Sequence, residues 1–344
     1  MKKQEANIYE IAKEAGVSIA TVSRVMNNSA AVSKKSKEKV LAAVEKLNYV
    51  PSYTARNLRG SSSNLVGAIV PDISNPFFSS LLQGITRVAD ERGLNVFLFS
   101  TNENSDIEHQ ILTTMREYRM CGIIIAPVSE QDEDTLSQLT TFAEHGVPVV
   151  LIDREIGKSQ FDCVVADDED GAYRAVSTLL REGHKKIATI RGPESSRPGR
   201  ERFRGYARAM EEFGVPIRPE YVRDGDFRSD RAWGETLALM DLPEPPTAIL
   251  SCNNMTTYGC LRAFAQLNLK IGQDISLISF DDIEALKWLN YDISSVSRDV
   301  PLMGEHAMRL LVRRMETKTA IDQVTRIVLP TELILRGSER LWIL

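Results

Sequence analysis

The sequence predicts an α/β protein with an N-terminal three-helix helix-turn-helix head, a hinge helix, and a two-lobed body of doubly wound parallel sheets. In the head, apolar residues recur at helical spacing, and Gly16 interrupts this repeat. From residue 65, short apolar runs alternate with amphipathic helical stretches in two successive series. Residues 1–60 carry eleven Lys and Arg against five acids, whereas the whole chain has a net charge of −5. A basic head on an acidic body indicates DNA binding confined to one module.

The head begins with two short helices joined by a tight turn. Apolar residues recur at helical spacing from Ile8 to Ala15, and Gly16 follows as a helix stop. Ser18 is a favourable N-cap for the second helix. Two helices with a Gly-containing turn are typical of a helix-turn-helix. The outer face of the second helix is predicted to carry Ile19, Ala20, Thr21, Ser23, Arg24 and Asn27.

A third helix follows, with Ser33 as its cap and an inner stripe of Val40, Leu41, Val44 and Leu47. The lysines clustered at its start fit either a solvated face or phosphate contacts, and a neighbouring helix-turn-helix favours phosphate contacts.

The segment from 49 to 64 is helix-compatible and ends in a Gly-Ser run. One reading is a linker. The other is a hinge that folds only on DNA, with Leu58 as an apolar wedge in a base step.

The run IYEIAKEAGVSIATVSRVMNN followed by YVPSYTARNLRG resembles the LacI/GalR (lactose-repressor/galactose-repressor) family of bacterial transcriptional regulators. The resemblance covers essentially the whole chain. It implies a homodimer whose two reader helices enter major grooves of a pseudo-palindromic double-stranded DNA operator. Arg24 is the candidate for a bidentate guanine contact. The predicted DNA-binding residues are Ser18, Ile19, Ala20, Thr21, Ser23, Arg24, Asn27, Tyr49, Leu58 and Arg59.

The body resembles periplasmic sugar-binding proteins and the bodies of these repressors, in which the chain crosses between two lobes more than once. We expect a second strand series to start at 163–168, and crossings near 155–165, 290–297 and 322–328. The predicted domains are a DNA-binding head (1–50), a hinge helix and linker (51–64), a first lobe (65–160 and 294–324) and a second lobe (161–293 and 325–340). The helix after residue 298 is implied to return to the first lobe, and dimer contacts to involve the helix around 81–92.

Ligands of open α/β lobes bind at the carboxyl ends of strands, so residues just after each strand are candidates for an effector site between the lobes. The resemblance implies ligand roles for Phe77 or Phe78, Arg154, Arg202, Phe227 and Asp281. The family usually has Asn-Asp where this chain has Asn253-Asn254, which removes one carboxylate. The predicted effector-binding residues are Asn75, Phe77, Phe78, Arg154, Arg202, Phe227, Asn254 and Asp281.

The segment RGPESSRPGRERFR adds arginines near this site. If a second one besides Arg202 faces the cleft, an anionic effector such as a sugar phosphate or sugar acid is favoured over a neutral sugar. Either effector class remains open from the residues alone.

No cofactor and no metal site is expected. The four cysteines lack a C-x-x-C spacing and fit buried reduced thiols. The acids at 167–170 fit helix caps better than metal ligands, and the isolated His184 fits a structural role. No nucleophile elbow or Gly-rich phosphate loop appears, so an enzyme is not expected.

The N-terminus lacks the apolar region of a signal peptide, and no apolar run approaches the roughly 20 residues that span a bilayer, so we expect a cytoplasmic protein without membrane contact. The sequence thus predicts an allosteric transcriptional regulator of carbohydrate genes, of repressor type, controlled by a sugar or sugar derivative. The alternatives are a periplasmic-type ligand-binding protein and a regulator that uses a phosphoprotein corepressor.

Overall fold

A computed structural model describes residues 7–26, 32–49, 64–157, 160–317 and 323–340. The chain divides into two compact units, residues 1–63 and 64–344. The predicted hinge helix, including Leu58 and Arg59, lies outside the described residues, as does Asn27.

Three short helices build the head: α1 (Ile8–Ala15), α2 (Ile19–Met26) and α3 (Lys34–Lys46). The side chain of Asn7 caps α1 together with Glu10, and Gly16 ends the helix with a φ of 62°. Ile11, Val22 and Val40 are fully buried between the helices. The predicted stripe of α3 is wrong at Leu41, which is 48% exposed, because Ala43 takes the inward position.

The body contains two six-stranded sheets, each wound on both faces by helices. The strands are β1 (Leu65–Val70), β2 (Asn95–Ser100), β3 (Gly122–Ile125), β4 (Val149–Ile152), β5 (Asp162–Ala166), β6 (Ile187–Arg191), β7 (Val222–Asp224), β8 (Ala248–Ser251), β9 (Ser276–Phe280), β10 (Ser294–Ser297), β11 (Arg326–Leu329) and β12 (Glu332–Ile334). The helices are α4 (Pro76–Glu91), α5 (Ser105–Glu117), α6 (Glu133–Glu144), α7 (Asp168–Arg181), α8 (Arg197–Glu212), α9 (Ser229–Met240), α10 (Asn254–Leu267), α11 (Glu284–Trp288) and α12 (Val300–Glu316).

The first lobe is organised around the sheet β11-β5-β4-β3-β1-β2, whose strands all pair in parallel. Alternate strand residues point to opposite faces. Helices α4 and α12 cover one face, and α5 and α6 cover the other. Because both faces are covered, β1, β3, β4 and β5 are buried throughout and read as continuous apolar runs.

The second lobe repeats this arrangement in the sheet β12-β10-β9-β8-β6-β7, where only β12 pairs antiparallel. Helices α7 and α8 pack on one face, and α9, α10 and α11 on the other. The sequence patterns missed helix α9 and the short elements β7, α11, β10, β11 and β12.

The three crossings between lobes lie within several residues of the predicted positions, but one predicted strand was assigned to the wrong lobe. Strand β5 belongs to the first sheet, whereas we expected residues 163–168 to open the second series. Likewise β10 belongs to the second sheet and β11 to the first, so the chain crosses after 166, after 297 and after 329. The apolar pattern of a strand is the same on either side of a crossing, which explains why β5 was assigned to the second series.

Helix α12 returns to the first lobe, as the resemblance implied, and packs closely on α4. A Cβ at Gly84 would lie 1.9 Å from the carbonyl oxygen of Pro301, and one at Gly304 would lie 2.1 Å from that of Leu81. The two glycines therefore allow the backbones of these helices to touch. Among the described helices, none is long and apolar enough to cross a membrane.

Candidate functional sites

A cavity of about 520 Å³ opens between the two lobes, at the carboxyl ends of their strands. All but one of the predicted effector-binding residues line it: Asn75, Phe77, Phe78, Arg154, Arg202, Phe227 and Asp281. Other lining residues that sequence reasoning left out of the predicted set include Glu103, Asp153, Asn253 and Arg298.

Asn254 lies behind the cavity wall instead of lining it. Its amide nitrogen donates a hydrogen bond of 2.8 Å to Oδ1 of Asn75, which also accepts the backbone N–H of Phe77 at 2.9 Å. Since Asn75 Oδ1 accepts the Phe77 N–H, it is an oxygen, and the nitrogen of Asn254 must face it. This bond joins the start of α10 in the second lobe to the start of α4 in the first, while Asn253 caps α10.

The buried charged side chains of Asp153, Asp168, Arg202, Asp281 and Arg298 form what we call the floor of the cavity. Arg298 lies at the centre of this floor, on the crossing segment between β10 and α12. Its guanidinium bonds Asp281 at 3.0 Å and Asp153 at 2.9 Å, and only 3% of its side chain is exposed. The ring of Phe77 lies 4.1 Å from the guanidinium carbon. One cation therefore neutralises carboxylates from both lobes and rests on an aromatic face.

Asp168 is the second centre of the floor and is completely buried; it does not line the cavity itself but bonds Arg202 and lies 3.6 Å from Arg298, which do. Arg202 bonds its Oδ1 through Nε at 2.9 Å and a terminal nitrogen at 2.8 Å, and Arg197 bonds its Oδ2 at 2.8 Å. The Arg202 guanidinium also donates to the carbonyl of Cys252 and lies 3.7 Å from the centroid of the Phe280 ring. Neighbouring Asp167 is the residue that caps α7, as predicted for this acidic run, although α7 begins at Asp168 and not at Gly171.

Arg154 and Glu103 form a bidentate ion pair on the first-lobe side. The two distances from guanidinium nitrogens to carboxylate oxygens are 2.8 and 2.6 Å. Arg154 also lies within 3.4 Å of the Pro127 and Val128 carbonyls and is 2% exposed. The ring of Phe227, from the second lobe, lies 5.8 Å from this guanidinium and equally far from that of Arg202.

The electrostatics of the floor follow from burial and from these guanidinium groups. Burial raises the pKa of Asp153 above its usual value, and the nearby charge of Asp168 adds to the rise. Burial also opposes ionisation of Asp168, but the charges of Arg202, Arg298 and Arg197 outweigh it and lower its pKa. The carboxylates around Arg298 raise its pKa despite burial. Asp168 is therefore a fixed negative charge that holds the arginines in place.

The backbone at this site is unusual for residues other than glycine. Glu103, Asp153, Phe227 and Asp281 all have a positive φ, between 56° and 73°. Such conformations cost free energy and persist where the surroundings impose them, often at binding sites. Each of these residues follows a strand end, so the strained turns aim their side chains into the cleft.

Three important side chains were missed or misread by sequence reasoning. Glu103 follows β2 closely enough for the strand-end rule to have found it. Asp168 looked like a helix cap, and Arg298 stands on a crossing without a local pattern. Of the five arginines in the segment from 191 to 204, only Arg202 lines the cavity. The others pair with acids elsewhere: Arg191 with Asp224, Arg197 with Asp168 and Glu155, Arg200 with Glu130, and Arg204 with Glu201.

The second helix of the head presents the predicted face to solvent. Ser18, Ala20 and Arg24 are exposed, and Ile19, Thr21 and Ser23 are half-buried. Ser18 accepts the Thr21 N–H at 3.2 Å, which caps the helix, and Tyr49 packs against the head core. Arg24 makes no ion pair with any described residue, so its charge is available to a partner.

The remaining side-chain clusters carry no chemistry of their own. Within the described ranges, no group of His, Cys, Asp or Glu could hold a metal ion, and the four cysteines are free. Burial raises the pKa of Cys121 to about 11 and that of Cys260 to about 12, which makes both thiols unreactive. His184 is buried between Thr247 and the carbonyl of Glu339 and is structural, as expected.

Comparisons with known proteins match the whole chain. Residues 7–52 match the family model "Bacterial regulatory proteins, lacI family", and residues 63–332 match "Periplasmic binding proteins and sugar binding domain of LacI family". The transcriptional regulator DegA of Bacillus subtilis is 33% identical, over 97% of this chain and 98% of its own. The transcriptional repressor PurR of Haemophilus influenzae is 31% identical over the same shares.

A solved structure of the lac repressor dimer bound to operator and the anti-inducer ONPF is also similar. It is 26% identical, with a TM-score of 0.82, and the match covers 98% of this chain and 100% of that one. A helix-turn-helix head and a two-lobed body with a cleft thus occur here in the same order as in these regulators. The chain belongs to the LacI family of transcriptional regulators, with a helix-turn-helix DNA-binding head and a body of the family's sugar-binding type.

Proposed function

We propose that this regulator is a dimeric repressor of carbohydrate genes that binds a pseudo-palindromic operator and is released or retained by a sugar-like effector in the cleft. The main support for this proposal is the cleft itself. Aromatic rings and paired charged side chains from both lobes line it, close to the crossing segment that carries Arg298. Polar groups of this kind suit vicinal hydroxyls, and the phenyl rings suit the C–H surface of a sugar. Because its target is DNA, we propose that it acts in the cytoplasm.

On the DNA side, Arg24 would read a guanine edge, and the small or half-buried residues Ile19, Ala20 and Thr21 would let the helix approach the bases. Ser18, Ser23 and Tyr49 would contact the phosphate backbone or neighbouring bases. Asn27, Leu58 and Arg59, outside the described residues, complete the proposed set. The basic balance of residues 1–60 supports these roles.

Two exposed apolar patches support the dimer. Strand β2 lies at the edge of the first sheet, with Phe97 and Leu98 exposed by 41% and 44%. In the second lobe, Trp288 and Leu289 are exposed by 74% and 65%. An apolar edge strand invites pairing with another chain, and large exposed side chains mark interaction surfaces. We propose that both patches, with the outer side of α4, face the partner subunit.

The test is a gel-shift measurement with DNA from upstream of the protein's own gene. Arg24→Ala should weaken specific binding by about tenfold or more, since a bidentate base contact contributes about 1–3 kcal/mol. Arg204→Ala, which removes an exposed arginine of the body, is the matched control and should leave binding unchanged. Unaltered binding by the Arg24 variant, or binding by a chain that lacks residues 1–60, would contradict the assignment.

A further inference from the structure

We infer that Glu103 sets the charge selectivity of the cleft: by occupying Arg154, it makes the site accept neutral polyhydroxylated ligands and reject anions. The inference rests on the proposed effector role of the cleft and specifies its ligand class. It decides between the two effector classes that the sequence left open.

The first argument is the geometry of the Glu103–Arg154 pair. Both terminal nitrogens of the guanidinium are engaged by the carboxylate, at 2.8 and 2.6 Å. The remaining nitrogen, Nε, is buried and has no hydrogen-bond partner among the described residues. The edge formed by the two terminal nitrogens is thus held by Glu103, and the other edge that can bind carboxylate or phosphate bidentately includes Nε, which is buried, so neither edge of Arg154 is open to an anionic ligand.

The second argument is that the loop carrying Glu103 is fixed in this position. Asn102 and Glu103 have φ values of 51° and 56°, which are costly for residues with a Cβ. The backbone N–H of Glu103 donates to the carbonyl of Pro71 at 3.2 Å, and that of Thr101 donates to Val70 at 3.0 Å. These bonds tie the loop to the end of β1, so Glu103 is built into the cleft wall.

The third argument is the charge balance of the floor. The other two buried guanidinium groups that line the cavity are also paired: Arg202 with Asp168, and Arg298 with Asp153 and Asp281. A further lining residue, Arg228, is exposed and pairs with Asp230. An entering anion would find no free buried cation, and it would lie near several carboxylates. Burial without a counter-charge is costly for an anion.

Glu103 also offers hydrogen-bond acceptors to a neutral ligand. Its side chain is 24% exposed and lines the cavity, and each carboxylate oxygen retains a lone pair after the bond to Arg154. Hydroxyl groups can donate to these oxygens, whereas the ionised oxygens of a phosphate or carboxylate cannot and are repelled by the like charge. Arg262, at the cavity mouth, is exposed and stacked on Trp233, so water screens its charge.

The experiment compares full-length wild type with Glu103→Gln by calorimetric titration of inorganic phosphate and of D-glucuronate, each against D-glucose. The variant removes the negative charge and one of the two acceptor oxygens that hold Arg154 while nearly keeping the shape of the side chain, so we expect its affinity for both anions to exceed that of the wild type by about tenfold or more. Glu103→Ala serves if the glutamine variant does not fold. Glu305→Gln is the matched control, because it removes a carboxylate that pairs with Arg87 outside the cleft.

Two further variants locate the gained site. Adding Arg154→Gln to Glu103→Gln should abolish the gained anion binding, and adding Arg262→Gln should not. Loss with Arg262→Gln, no gain in Glu103→Gln, or wild-type anion binding as tight as in the variant would each overturn the inference. If the variant gains anion binding but wild type binds no D-glucose, the exclusion of anions by Glu103 is upheld, whereas the acceptance of a neutral sugar, and with it the proposed effector class, is contradicted.

Discussion

Asp168 in the second lobe and Glu108 in the first are both completely buried carboxyl groups, yet their surroundings shift their pKa values in opposite directions. Asp168 is bonded by the guanidinium groups of Arg197 and Arg202, and its pKa is lowered. Among the described residues, Glu108 accepts hydrogen bonds only from the hydroxyl of Thr135 at 2.8 Å and the backbone N–H of Val128 at 3.0 Å. Burial raises its pKa to about 7, with Asp132 adding to the rise and Arg154 opposing it. Neutral donors alone therefore do not offset desolvation, whereas fixed cations do.

Asp168→Asn should cause the largest effect. It leaves three buried guanidinium groups short of their counter-charge, so we expect the free energy of unfolding to fall by about 3–5 kcal/mol. Urea unfolding at neutral pH measures this loss. Glu108→Gln under the same conditions is the control and should cost less than about 1 kcal/mol, because a pKa of about 7 leaves the wild-type side chain about half protonated there and the neutral amide replaces little charge stabilisation. Equal losses would remove the contrast between the two sites.

The pH dependence of stability should come next in size. The pKa of Glu108 lies near 7 in the folded protein against 4.5 in the reference state, so between these values the folded state binds a proton that the unfolded chain has lost. The free energy of unfolding should therefore fall as pH rises through this window, by up to about 3 kcal/mol. Thermal unfolding scans should show a flatter pH profile for Glu108→Gln. A variant profile as steep as the wild-type profile would assign the slope to other groups.

The smallest effect concerns the donor to Glu108. Thr135→Val removes the buried hydroxyl and should lower the free energy of unfolding by about 1 kcal/mol at alkaline pH, where Glu108 is ionised. Thr140→Val, on the same helix, loses an exposed hydroxyl that bonds only the Leu136 carbonyl and should have almost no effect. If the two variants lose equal stability in urea unfolding, the hydroxyl of Thr135 does not support the buried carboxylate.

The same contrast explains what the sequence could predict. The two strand series could be predicted because apolar runs mark strands. The residues directly after the strands, such as Asn75, Arg154 and Asp281, could be predicted as cleft residues because ligands of such sheets bind at the strand ends. The burial of Glu108 and Asp168 could not be predicted from the sequence. Each stands in the first turn of a helix, where acids are ordinarily solvated. Their burial depends on residues distant in sequence, such as Arg298 for Asp168 and Thr135 for Glu108.

The crossing segment that carries Arg298 has a consequence for how the family can diversify. The guanidinium of Arg298 neutralises carboxylates from both lobes. The buried charges of the floor are therefore paired within the protein and need no ligand as a counter-ion. Substitutions at the rim, at Glu103, Phe227 or Arg262, can therefore change what the cleft recognises while the fold stays intact. A descendant of this chain could acquire a new effector by altering the rim and inheriting the floor unchanged.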